Sequence, residues 1–214
     1  MIAMQGSTIV SDAVLCVSSL TAAYLARRQL LAVTGFASMA AAAFLGCLRY
    51  GPLPGLQPLH QQLSFLAAVV GMPLVLAGFV RLSPRAAVIA SMTLAAFTVL
   101  VWERAPARIL VATLCLLAWL VVLRVPQPPR ARRAIAAAIV ASLVAAAFVQ
   151  TGAGPHHIDG LHWSLAVAQL AFGIAFTARA ASRLDPHIGK SSPAQAKQGE
   201  ITCGSTTGAA PPSS

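Results

Sequence analysis

The stretch "GPHHIDGLHW" (154–163) gathers His156, His157, Asp159 and His162 within ten residues. Imidazole and carboxylate are the ligands that zinc and similar divalent ions take. His156, His157 and His162 are therefore the candidate metal ligands, with zinc the ion they would suit; no other cofactor is expected. The spacing matches no recognised metal motif, because ligands on one helix face stand three or four residues apart and His157 and His162 stand five apart. The same groups could instead titrate near neutral pH, or form a polar loop anchored at an interface by His162 and Trp163. A second acid, Asp12, opens "SDAVLCVSSLTAAYLARR" (11–28), where a run of uncharged residues is closed by Arg27 and Arg28. Its position relative to the bilayer decides what it can do.

The chain as a whole supplies the bilayer. Of 214 residues, 57% are apolar and 9% charged, whereas a soluble domain carries roughly 25% charged residues. Mean hydropathy is +0.76. This composition predicts an all-α, polytopic membrane protein, since a helix satisfies its own backbone in lipid. A β-barrel would show alternating polarity, and these runs are continuously apolar. The net charge of +10 does not indicate a nucleic-acid partner. Its arginines flank apolar runs singly or in pairs, as membrane anchors do, and form no basic and aromatic stripe. The first eleven residues hold no Lys or Arg, so the first run is expected to be a retained span rather than a signal peptide. Cys16, Cys47 and Cys115 lie in apolar runs and Cys203 in a polar tail, which reads as apolar filler rather than a disulfide framework.

Seven apolar runs bounded by charge, Pro or Gly stand at 8–26, 30–49, 62–80, 86–102, 108–123, 134–150 and 161–178. They predict a seven-helix transmembrane domain over 1–182, followed by a disordered cytoplasmic tail over 183–214 that is rich in Ser, Gly, Pro and Thr. Counted on alternate sides, Arg49, Arg104 and Arg108 stand on one, and the other twelve of the 15 Lys and Arg on the other. The positive-inside rule then puts the N-terminus outside and the C-terminus in the cytoplasm of a bacterial-type inner membrane.

With Arg27 at the inner edge, Asp12 lies about 22 Å above it at about 1.5 Å per residue. That is inside a hydrocarbon layer about 30 Å thick. Such a carboxylate needs a partner or a proton. In the first hairpin it falls level with about residue 45, beside Gly46, and Arg49 about one turn higher is its expected ion-pair partner. On the same scale His162 stands about 25 Å and Asp159 about 30 Å above Arg179, and His60 about 31 Å above Arg81. The expected result is an outward-facing polar pocket of Asp12, Arg49, His60, Asp159 and His162, binding a small ligand, lipid or proton without catalysis. The alternatives are a metal-dependent hydrolase of a lipid or amide, with Asp12 as candidate general base, and a small transporter subunit. The last is disfavoured because no ionisable residue falls at the midplane. Gly35, Ser38, Ala42 and Gly46 share one face of the second run, the pattern of close helix contact and a candidate homo-oligomer surface. Pro73 should kink the third run, and Gln169 should hydrogen-bond across helices.

The segments "SDAVLCVSSLTAAYLARR", "GFASMAAAAFLGCLRYG" (35–51) and "LHQQLSFLAAVVGMPLVLAGF" (59–79) together resemble a family of seven-span bacterial membrane proteins. That family is in turn similar to the superfamily of alkaline ceramidases and progestin/adiponectin receptors, which are zinc-dependent membrane hydrolases. The resemblance implies a seven-helix fold and a zinc held by three histidines. The chain departs from that pattern. Ser38 has no histidine on its helix, Arg49 stands at the corresponding end, and the last span has His162 without a partner at the family's spacing.

Overall fold

The computed structural model describes residues 2–100, 105–151 and 157–184. Glu103, His156, Cys203 and the expected tail from 185 onward lie outside the described residues. The chain forms α1 (Ile2–Leu25), α2 (Leu30–Tyr50), a 3-10 turn (Pro54–Leu56) leading into α3 (Gln57–Leu66), a π turn (Ala67–Gly71), α4 (Met72–Val80), α5 (Pro84–Leu100), α6 (Ala105–Arg124), α7 (Pro129–Thr151) and α8 (His157–Leu184). No strand occurs among the described residues. Among the described residues, five segments are long and apolar enough to cross a membrane: Gly6–Leu25, Leu30–Tyr50, Pro54–Val80, Pro129–Val149 and His157–Ser182. The protein is thus an all-helical, membrane-embedded chain. α8 runs on through Leu184, past the expected tail boundary at 183. Its Ala178, Ala180 and Ala181 are strong helix formers.

The segment Pro54–Val80 is one column with a defect in it. Proline at 73 removes a backbone donor and crowds the preceding turn. The backbone widens into the π turn immediately ahead of it, a recognised way for a helix to absorb such a break. The column ends at Arg81, which takes a left-handed conformation with φ 59°. The Leu82 amide then donates back to the Ala77 carbonyl at 3.1 Å, closing the helix as a glycine would.

α1 lies between α2 and α8, α8 also packs on α7, and α2 packs on the α3–α4 column. α1 and α8 run parallel. Ser7 meets Asp159, Asp12 meets His162, and Ala22 meets Gly173, an offset of about 150 residues throughout. α1 is polar on its buried side. Thr8, Ser11, Asp12, Ser18 and Ser19 are buried, while Val10, Val17, Leu20 and Tyr24 are more than half exposed. In lipid this is the favourable arrangement, because apolar side chains lose nothing at the outer surface and polar ones find partners between helices. Towards the arginine-bearing ends of α1 and α8 the bundle is closed by rings. Trp119 packs on Phe172 at 4.3 Å and on Phe79 at 5.5 Å, and Phe79 meets Phe176 edge-on at 5.2 Å. Gln169 is buried but donates only a long contact to Met72 Sδ, 4.0 Å.

The small face of α2 is occupied by the chain's own helices. Gly35 lies against Gly71 and Val75, Ala42 is buried beside α3, and Gly46 abuts Asp12. A Cβ on Gly35 would stand 2.5 Å from the Gly71 carbonyl oxygen and 3.1 Å from the Val75 amide nitrogen. Both are backbone atoms and cannot swing aside. We therefore expect Gly35→Ala to destabilise the bundle by about 1–3 kcal/mol, as overpacking does, despite alanine's better helix propensity. Gly6→Ala, which meets nothing within 4 Å, should leave stability unchanged or raise it. Thermal unfolding in detergent micelles, followed by far-UV circular dichroism, measures both.

Candidate functional site

The polar seam between α1 and α8 begins at their N-terminal ends. Ser7, Thr8, Ser11 and Asp12 occupy positions i, i+1, i+4 and i+5 of α1, so they share one face. Asp159 and His162, three residues apart in the first turns of α8, face them. Ser7 Oγ donates to Asp159 Oδ2 at 2.5 Å and Ser11 Oγ to Asp159 Oδ1 at 3.1 Å. Ser11 Oγ also lies 3.3 Å from His162 Nδ1. His162 Nδ1 in turn lies 3.1 Å from Asp12 Oδ1. Asp159 sits in the positive end of the α8 dipole and accepts two hydroxyl hydrogen bonds, which suits an ionised carboxylate.

Asp12 is different. Its side chain is 1% exposed, and neither carboxylate oxygen accepts a hydrogen bond among the described residues. The His162 nitrogen is within ion-pair distance but not on a hydrogen-bonding line. The opposite side of the carboxylate is walled by Gly46, where a Cβ would collide with all three of its atoms. An unpaired carboxylate so enclosed is costly. The pair is stable when it holds one proton, on the imidazole as an ion pair or on the acid as a neutral couple.

Arg49 is not the partner expected for Asp12. Its guanidinium stacks 4.6 Å from the centre of the Tyr50 ring and makes no ion pair with Asp12 among the described residues. It acts on Asp12 only as a more distant charge. The physical reason is the earlier start of α8. The helix begins at His157, not 161, which brings Asp159 and His162 alongside α1, while the half-buried arginine stays at the end of α2 against an aromatic ring. His60 also stands apart from the direct contacts. Its Nδ1 is 3.0 Å from the Ala42 carbonyl oxygen and its ring meets Tyr50 edge-on at 6.4 Å. Of the expected pocket, Asp12, Asp159 and His162 converge, and Arg49 and His60 form a neighbouring cluster around Tyr50. Ser7 and Ser11 were not among the expected residues. Their spacing relative to Asp12 is the signal that marks them.

The three imidazoles that the zinc hydrolases imply are not brought together among the described residues. His156 lies outside the described residues, and His157 and His162 are separated by about 140° around α8 at 100° per residue. His162 Nδ1 is directed at Asp12 and Ser11. No group of three His, Cys, Asp or Glu suited to a metal occurs among the described residues. A nucleophilic triad is not formed either. That arrangement needs the acid on one ring nitrogen and the serine on the other, whereas here Ser11 and Asp12 both approach Nδ1. The arrangement can hold, share and pass a proton.

Removing one member should cost more than removing both. His162→Ala leaves the Asp12 carboxylate enclosed without a cation, and we expect a loss of about 3 kcal/mol. Asp12→Asn combined with His162→Ala should recover part of it, with a coupling energy of about 1–3 kcal/mol. Equilibrium unfolding of the two single variants and the double variant in mixed micelles gives this number, and an additive result would show that the two side chains do not interact.

Known family models, curated proteins and solved structures contain no match to this chain, so its functional reading rests on the geometry of this seam.

Proposed function

We propose that the protein is a seven-span membrane protein, N-terminus outside and C-terminus in the cytoplasm, whose α1/α8 seam is a non-enzymatic proton-binding site open to the outer face. Three arguments support the span count and orientation. α1 and α8 are parallel, which requires an odd number of crossings. α5 and α6 have 17 and 20 residues, or about 25 and 30 Å of helix, so as a hairpin they add two crossings to the five long segments. The 15 Lys and Arg then divide three against twelve, with the larger share in the cytoplasm.

The observation that carries the proton site is the Asp12 carboxylate, 1% exposed, without hydrogen bonds to its oxygens among the described residues and 3.1 Å from His162 Nδ1. A group in that setting changes its protonation together with its neighbour, and the pair behaves as one titrating unit. Ser11, Asp159 and Ser7 form a hydrogen-bonded line from the pair to the helix ends, along which a proton can enter by hydroxyl rotation. The chemistry is binding and release; no substrate bond needs to break. Protonation would act through α1 and α8, since the same residues fix how these helices meet.

The test is a titration of the full chain in lipid nanodiscs, followed by the nitrogen shifts of labelled histidines. Over about pH 4 to 9, which spans the ordinary carboxylate and imidazole ranges, His162 should respond, and Asp12→Asn should abolish or displace that response. A His162 signal that is flat across the range, or identical in the Asp12→Asn protein, would mean that the pair is a fixed structural contact.

A further inference from the structure

We infer that the opposite end of the bundle holds a site for a phosphate-bearing anion, and that its occupant is the headgroup of an anionic phospholipid. A cavity of about 350 Å³ opens between the C-terminal end of α1, the start of α2, the end of α4 and the last turns of α8. Arg27, Arg28, Arg81 and Arg179 line it, together with Gln29. No carboxylate is among the described lining residues. The described acids, Asp12 and Asp159, belong to the seam at the far ends of α1 and α8. Four arginines lining one cavity make it strongly positive, and planar guanidiniums match phosphate oxygens two at a time.

The individual side chains fit that role. Arg179 is held in place, donating to the Phe79 carbonyl with its guanidinium 4.7 Å from the centre of the Phe79 ring. Arg27 lies 4.5 Å over Tyr24. Arg28 and Arg81 are exposed. Arg81 stands where glycine is the comfortable residue, at φ 59°; the backbone there gains nothing from a side chain, so the guanidinium itself is what the position supplies. Gln29 begins α2 without a side-chain cap on the helix, which leaves its first amides and the positive end of its dipole on the same side as the arginines. Apart from Thr177 the rest of the wall is apolar, with Leu25, Phe79 and Phe176 contributing to it. A basic rim above an apolar wall suits a phosphodiester with acyl chains better than a free ion, and basic pockets between membrane helices on the cytoplasmic side bind such headgroups. This site is independent of the proton-binding seam.

The experiment uses the full chain in nanodiscs of phosphatidylcholine, alone or with phosphatidylglycerol. Lipids retained on release are counted by native mass spectrometry, and thermal unfolding is followed in parallel. Wild type should retain phosphatidylglycerol in preference to phosphatidylcholine and unfold later in its presence. Arg28→Gln with Arg81→Gly should lose that preference, by roughly fivefold for each arginine. Glycine relieves the left-handed backbone at 81, so this variant tests the charge without sacrificing the fold. Arg130→Gln with Arg132→Gln, on exposed positions of α7 outside the cavity, should retain the preference. If inorganic phosphate in neutral nanodiscs protects wild type as well as the lipid does, and the Arg28/Arg81 variant loses that protection, the anion site stands with a soluble phosphate as its source. The proposal is overturned if the Arg28/Arg81 variant keeps the wild-type preference, or if the α7 variant loses as much, since the arginines would then be general surface charge.

Discussion

A carboxylate shut away from water must be given a positive neighbour or a proton, and Asp12 obtains one from another helix. Gly46 closes one side of it and His162 faces the other. This requirement dictates much of the bundle's arrangement. α8 must lie beside α1 and parallel to it, with the first turns of both at the same level. α2 must present a residue without a side chain at the height of Asp12. The hydroxyls of Ser7 and Ser11 must turn inward to meet Asp159, so the lipid-facing surface of α1 is left to Val10, Val17 and Leu20. The polar-inside, apolar-outside character of α1 is thus a consequence of placing one acid.

Parallel neighbouring helices carry an electrostatic penalty, because their macrodipoles point the same way. The charges along α1 and α8 offset it. Asp12 and Asp159 lie towards the N-terminal ends, and Arg27, Arg28 and Arg179 towards the C-terminal ends. Asp159 in the first turn of α8, and Arg27 and Arg28 just past the last turn of α1, are each favourable by about 0.3–1 kcal/mol; Asp12 is too far along α1 to share in this. Between them the seam holds only neutral polar groups, and the lower half is packed with Phe36, Phe79, Trp119, Phe172 and Phe176. The division of charge on which the proposed orientation rests therefore also stabilises the central helix pair.

Much of this architecture is visible in the residue order. Continuous apolar runs ended by arginines or prolines give the helices, and a rise of about 1.5 Å per residue places Asp12 beneath the membrane surface and beside Gly46. Pro73 marks the break in its column, although the π turn that accommodates it is a backbone response with no residue signature of its own. The partner of Asp12 is not legible in the same way. Arg49 is its nearest cation along the first hairpin, while His162 is 150 residues distant, and which spans touch is decided by packing rather than by local pattern. The Gly173 contact with Ala22 and the Gly160 contact with Phe148 are what bring α8 close to α1 and α7. Serines such as Ser11 are too common to stand out until a carboxylate is seen on the same helix face. The arginine cavity was legible only as orientation, because the gathering of Arg28, Arg81 and Arg179 depends on three helix ends finishing at one level.

The seam also limits what the proton site can do. Below Asp12 the buried polar groups of α1 are Ser18 and Ser19, and α8 contributes Gln169, which the parallel offset places at the level of Ser19. Ser19 Oγ and Gln169 Oε1 have no hydrogen-bond partner among the described residues, so the seam remains polar about 10 Å further into the bundle, at about 1.5 Å per residue. These groups are neutral and cannot hold a charge, and the cluster around Trp119 and Phe172 then closes the interior. On the proposed reading, a proton arriving at Asp12 and His162 meets no further carboxylate or imidazole among the described residues of this seam. Under the proposed proton-binding role this fits a sensor or a ligand-binding switch, in which occupancy alters how two helices fit, rather than a transporter, which must present its site to both sides in turn.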